Sequence, residues 1–138
     1  MKTILAFCIV LLGFPNLYAQ ATDDPDKVFT IVQQRPIFPG DINKWLAENI
    51  KYPDDAKKNN IQGTVYAEFI VEKDGSTSNV KVMRGVNKLL DDESVRVLST
   101  MPKWKPGEQN GHSVRVEYMV PIKFMLDNNN NSSSNPWK

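Results

Sequence analysis

Cysteine and histidine are nearly absent from this chain. Its 138 residues hold one cysteine, Cys8, and one histidine, His112. A single thiol cannot close an intrachain disulfide, and one imidazole without thiols or a second imidazole lacks the partners of a zinc site. No glycine pattern suits a phosphate cradle, and no nucleophile stands beside a base. An excess of charge of one sign is missing too: 17 Lys+Arg face 16 Asp+Glu. That balance argues against a nucleic-acid or anionic-membrane binder. Long apolar runs are also lacking. The longest, Ile4–Phe14, is about half the roughly 20 residues a spanning helix needs. The composition excludes the common enzyme classes and leaves one small domain, with no cofactor, no metal and no small-molecule substrate expected.

What is present at the ends points to export. Lys2 precedes the apolar run, Pro15-Asn16 breaks it, and the small Ala19 follows Tyr18, the layout of a signal peptide over residues 1–19. Leu17 is bulkier than the simplest cleavage pattern has. The alternative is an uncleaved anchor. Cleavage would remove Cys8 and Lys2, leaving a thiol-free chain with balanced charges. Residues 20–34 read as a flexible polar lead-in, 35–126 as the domain, and 127–138 (DNNNNSSSNPWK) as a disordered polar tail.

Inside the domain, Phe29–Gln34 has strand composition, as a short edge element or an extended lead-in. Pro36 and Pro39 exclude regular structure before Asp41, which reads as a helix cap. Ile42, Trp45, Leu46 and Ile50 share a helical face, and Pro53 pushes Tyr52 into extended geometry. Pro53 opens a second, short helix through Asn59, and Gly63 reverses the chain. Residues Thr64–Lys73 alternate as a strand, with Val65, Ala67, Phe69 and Val71 on one face. Asp74-Gly75 is a turn, and Asn79–Arg84 a second strand. Leu89-Leu90-Asp91-Asp92-Glu93 starts a helix that Pro102 ends. Lys103-Trp104-Lys105-Pro106-Gly107 is a rigid connector, and Asn110-Gly111 a further turn. Val114–Leu126 then alternates as a final strand.

This order predicts an α+β fold: a three-stranded antiparallel sheet, order 3-1-2, with two main helices packed on one face. The final strand is expected at the edge, because Pro121 is tolerated only at an edge or bulge and Lys123 blunts an edge. Few residues invite a chemical role. His112 reads as a solvent-exposed loop residue, and Asp91, Asp92 and Glu93 as helix-start electrostatics. Asp74 lacks the spacing of a calcium loop. Trp104, Trp45 and Tyr52 read as packing residues. Arg84 and Arg96 are either solvated or paired with the acidic helix start, and both readings stay open.

The segments Tyr52-Pro53, GTVYAEFIVEKDGS, VKVMRG, LLDDESVR, MPKWKPG, NGHSV and VPIKFML, with RPIFPGD before them, resemble the C-terminal domain of the TonB energy-transducer family in its Bacteroidetes-type form. The resemblance covers about Gln34–Leu126. It implies a periplasmic module that engages the TonB box of outer-membrane, ligand-gated transporters by strand addition, or another TonB-system protein, with a homodimer as an alternative. It implies a partner-binding edge of Val114, Arg115, Val116, Glu117, Tyr118, Met119, Val120, Ile122, Lys123 and Phe124. The positions matching the family pattern are Tyr52, Pro53, Gly63, Asp74, Gly75, Leu90, Asp91, Pro102, Trp104, Pro106, Gly107 and Pro121. Two departures stand out. The roughly 15 residues between Ala19 and Arg35 reach about 50 Å at most, short for an anchored transducer working across a periplasm. Ser94 also stands where the family usually has alanine. It fits a tight helix–sheet contact if its hydroxyl bonds back to the preceding turn.

Overall fold

The structure, a computed structural model, describes residues 24–127. The expected signal peptide, the start of the lead-in and all but the first residue of the expected tail lie outside the described residues.

The chain builds β1 (Val28–Phe29), α1 (Ile42–Asn49), α2 (Asp54–Lys58), β2 (Gly63–Val71), β3 (Thr77–Arg84), α3 (Lys88–Leu98), β4 (Gly107–Gln109) and β5 (His112–Phe124). The Asp41 carboxylate caps α1 by accepting from the amides of Asn43 and Lys44 at 2.8 and 3.3 Å. Pro53 sets the entry to α2, whose first turn carries Asp54 and Asp55 and whose last turn carries Lys57 and Lys58, as the helix dipole favours. Asn87 caps α3 by accepting from the Leu89 amide at 2.9 Å.

The expected three-stranded sheet is not what forms. The sheet is mixed and five-stranded, with order β1-β5-β2-β3 and β4 paired to β5 off that path, and there are three helices among the described residues. Two segments account for the difference. The lead-in supplies β1, which runs parallel to β5 through Val28–Arg115 and Phe29–Val116. The connector does not stop short of the sheet: Gly107–Gln109 folds back on His112–Val114 as β4, through a turn in which Asn110 and Gly111 both take positive φ. Gln34 and Glu108 exchange backbone hydrogen bonds of 3.1 and 2.9 Å, so the lead-in and the connector brace each other.

The core lies between the helices and one face of the sheet. Leu46 of α1, Ala56 of α2, and Leu90, Val97 and Leu98 of α3 join Val65, Ala67, Phe69, Val71, Val120, Ile122 and Phe124 in one buried cluster. Ser94 is fully buried among them and donates its hydroxyl to the Leu90 carbonyl at 2.8 Å, the bond back to the preceding turn that serine needs there. Among the described residues, the helix residues of that cluster all pack on this one face.

Candidate partner-binding edge

β5 pairs antiparallel with β2 through nine consecutive residues, from Val71–Val116 to Gly63–Phe124, with no register shift. On its other side β1 takes only Arg115 and Val116. Val114 pairs with Gly107 of β4. Among the described residues, Glu117–Phe124 therefore has β2 on one side and no strand on the other. Of the ten positions read from the sequence as a partner-binding edge, Glu117, Tyr118, Met119, Val120, Ile122, Lys123 and Phe124 lie along this open stretch. Val114, Arg115 and Val116 already have strand partners there.

The final strand is expected from the sequence at the edge of the sheet, but β5 lies between β1 and β2 in the sheet order because β1 pairs with Arg115 and Val116. The outer strand on the far side, β3, is a poorer template. Its register with β2 shifts twice, between Tyr66 and Ala67 and between Glu68 and Ile70, and Asn79 in the second irregularity has φ 52°. Bulges of this kind twist an edge away from further pairing. β5 stays regular, and the only donor it lacks is that of Pro121, which is exposed.

The two flanks of the open stretch differ. On the helix side, Val120, Ile122 and Phe124 are buried, and Tyr118 is half-buried with its ring 5.0 Å from Trp104 and 5.7 Å from Phe69. Trp104 is 4% exposed, which makes it a support for the edge and leaves little of it for a ligand. Its ring also meets Phe38 at 5.3 Å and Phe69 at 5.5 Å. Tyr52 packs edge-on to Phe124 at 5.5 Å, and its hydroxyl donates to the Ile61 carbonyl; burial pushes that phenol up. Trp45 meets Phe38 at 5.9 Å. All three aromatics are packing residues.

On the helix-free face β5 presents Arg115, Glu117, Met119, Pro121 and Lys123 in turn. Arg115 donates to Glu72 at 2.8 and 3.1 Å, and to the Asp26 carbonyl at 2.8 Å. The Arg115 guanidinium is the main cause holding the Glu72 carboxyl below its usual range. Lys81 of β3 lies 2.8 Å from Glu68 of β2 and lowers that carboxyl in the same way. The Glu68 carboxyl on the same face raises the proton affinity of Glu117.

The remaining sequence-predicted positions are structural. Gly75 takes φ 86° in the β2–β3 turn, where Asp74 accepts from the Ser76 amide and hydroxyl at 2.9 and 2.6 Å. A side chain on Gly63 would meet Val86, and one on Gly107 would meet Val116. Asp91 accepts from the Val86 amide at 3.0 Å, and Leu90 is fully buried. Pro102 and Pro106 flank Trp104 in the connector. His112 is exposed at the start of β5, paired with Gln109. Arg96 is not free: it donates to Glu93 at 2.7 Å and to the Asn49 carbonyl at 3.0 Å. Arg84 lies 6.0 Å from the centre of the Tyr66 ring. Among the described residues no group of three His, Cys, Asp or Glu side chains could hold a metal ion.

Sequence reasoning missed Val28, which joins Phe29 in pairing with β5, and the Glu68–Glu117–Lys81 cluster. The signal for the cluster was there: two glutamates inside otherwise alternating strands, at positions that register places on one face.

The family profile described as Gram-negative bacterial TonB protein C-terminal matches residues 48–126. The chain belongs to the TonB C-terminal family. Among curated proteins it is similar to Protein TonB of Pseudomonas putida, 27% identical over 96 residues, which covers 67% of this chain and 39% of that protein. The chain thus matches well under half the length of that relative. Solved structures similar to it include two solution structures of the Helicobacter pylori TonB C-terminal domain. Residues 179–285 give a TM-score of 0.43 at 19% identity, covering 62% of this chain and 79% of that one. Residues 194–285 give 0.44 at 19% identity, covering 62% and 92%. TonB C-terminal domains are non-catalytic, periplasmic protein-interaction modules of the TonB energy-transduction system. No helix among the described residues is long and apolar enough to cross a membrane.

Proposed function

We propose that this chain is a periplasmic TonB C-terminal-type binding module, exported by a signal peptide over residues 1–19. Its role is to engage an extended TonB-box segment of an outer-membrane transporter by strand addition along Glu117–Phe124, linking it to energy-dependent transport. The observation that carries this reading is the open side of β5: eight regular residues that, among the described residues, have no strand on that side, directly continuing the line on which β1 already pairs in parallel. Unpaired backbone donors and acceptors on a flat, regular edge are a template for another strand. The family supports the class of partner, because its members are interaction modules of the TonB system.

Titration of the isotope-labelled chain with TonB-box peptides tests the reading. Amide shifts and slowed hydrogen exchange concentrated on Glu117–Phe124 are expected. Binding confined to β3 or to the helices, or no binding, would refute strand addition at this edge. Intact-mass measurement on periplasmic fractions tests the signal peptide, with a mature chain starting at Gln20 as the expected result.

A further inference from the structure

Backbone pairing alone would accept almost any extended chain, but the flank of this edge is not neutral. On the helix-free face, Glu117 and Lys123 bracket the open stretch, six residues and about 20 Å apart. Between them stand Met119, 50% exposed, and Pro121.

The charge around Glu117 does not balance. Its nearest acidic neighbour on β2 is Glu68, set diagonally to it opposite Met119, and from β3 Lys81 reaches Glu68 at 2.8 Å. Two carboxyls thus share one ammonium. The next charges along the face, Glu72 and Arg115, neutralise each other at 2.8 Å. From the lead-in, Lys27 sits over the Phe29 ring at 4.7 Å, and Asp26 reaches Arg115. Nothing on these elements supplies Glu117 with a second cation. At the other end, Lys123 is exposed and makes no ion pair among the described residues. Among the described residues, both ends of the edge therefore carry a charge that is not fully offset, and the two are opposite in sign.

Taking strand addition at this edge as its basis, the geometry points to selection by charge: β5 takes an extended peptide with a lysine or arginine facing Glu117 and an aspartate or glutamate facing Lys123, six residues apart on one face. Directly opposed side chains on adjacent strands lie close enough for opposite charges to attract and like charges to repel. A cation beside Glu117 also offsets the repulsion between the two carboxyls of the cluster. The apolar middle, Met119 and Pro121, favours an uncharged residue between the two. Because Lys-x5-Glu and Glu-x5-Lys satisfy the edge in opposite chain directions, the order of the charges in the partner fixes whether it runs parallel or antiparallel to β5.

Four synthetic peptides of alternating threonine and valine test this, carrying Lys/Glu, Glu/Lys, Lys/Lys or Glu/Glu at two positions six residues apart. Each is titrated into the labelled full chain at low salt and at 0.5 M salt. Both mixed peptides should bind about fivefold more tightly than the like-charged ones, with shifts on Glu117–Phe124. The gap should close at high salt and in the E117Q/K123Q double variant, whose spectrum elsewhere reports an intact fold. Four equal affinities with shifts on the same amides would overturn the charge selection and leave strand addition standing. No response of those amides to any peptide would overturn both. Edge amides that move with protein concentration and not with peptide would assign the edge to a second copy of the chain, and so overturn the proposal as well.

Discussion

The amide of Trp104 donates to the carbonyl of Gly75 at 2.8 Å, joining the β2–β3 turn to the connector that leads into β4 and β5. The approach is possible only because Gly75 has no side chain: a methyl group there would run into the Trp104 carbonyl oxygen, and Gly75 holds φ 86°. The Gly75→Ala variant meets both obstacles, a backbone clash and a left-handed conformation that alanine avoids. It should lose about 2–4 kcal/mol, read from urea denaturation. An unchanged midpoint would show that turn and connector are not coupled.

A second junction rests on Glu93, which is 8% exposed. Its carboxylate accepts from the Lys51 amide at 2.7 Å and from the Arg96 side chain, also at 2.7 Å, while Arg96 reaches the Asn49 carbonyl. One acidic side chain thus ties α3 to the end of α1. Glu93→Ala leaves the Lys51 amide and the guanidinium without that partner and should cost about 2–3 kcal/mol. Glu93→Gln keeps one acceptor for the amide and should cost about 1 kcal/mol. Equal losses for the two would show that the amide contact contributes nothing beyond the ion pair.

These couplings mark where the sequence was legible. Local patterns were readable: Asp41 as a cap, Pro53 as a helix start, Asp74-Gly75 as a turn, and the alternation of Val65, Ala67, Phe69 and Val71 as the core face. Each depends on residues within a turn or two. The sheet's composition was not readable. β1 has two residues and no periodicity of its own; it exists because Arg115 anchors the Asp26 carbonyl beside β5. β4 has three residues and depends on Gln34, more than 70 positions earlier, bonding to Glu108. For the candidate edge, Pro121 and Lys123 pointed to an outermost strand, whereas β5 lies between β1 and β2 and is open only along Glu117–Phe124 among the described residues. That β1 would take Arg115 and Val116 could not be read from them. The Glu68–Glu117 contact likewise required the β2–β5 register, which no single strand specifies.

That contact predicts a pH effect. The neighbouring Glu68 carboxyl is the main cause raising the proton affinity of Glu117 in the folded chain. A carboxyl with a raised folded pKa favours the fold below its unfolded pKa of about 4.3, and that contribution is lost as pH rises through the folded value. Above that value the ionised form of Glu117, beside Glu68, works against the fold. Glu117→Gln should raise the melting midpoint by a few degrees at pH 7, with the gain shrinking toward pH 4. Differential scanning calorimetry across that range checks it. A gain independent of pH would mean that repulsion between the two carboxyls is not the cause.

The Trp104 side chain predicts a separation between volume and hydrogen bonding. Its Nε1–H is buried and has no hydrogen-bond partner among the described residues, although the ring packs against Phe38, Phe69 and Tyr118. A buried donor left unpaired costs about 1–3 kcal/mol, which offsets part of what the ring contributes by packing. Trp104→Phe removes that donor and keeps an aromatic ring, so its net cost should stay below about 1 kcal/mol. Trp104→Ala removes the packing as well and should cost about 3–5 kcal/mol, and by withdrawing the support under Tyr118 it should also speed hydrogen exchange along Glu117–Phe124. Chemical denaturation of both variants decides the matter: a phenylalanine variant as unstable as the alanine one would mean that Nε1 has a partner, such as an ordered water, whose loss outweighs the ring that remains.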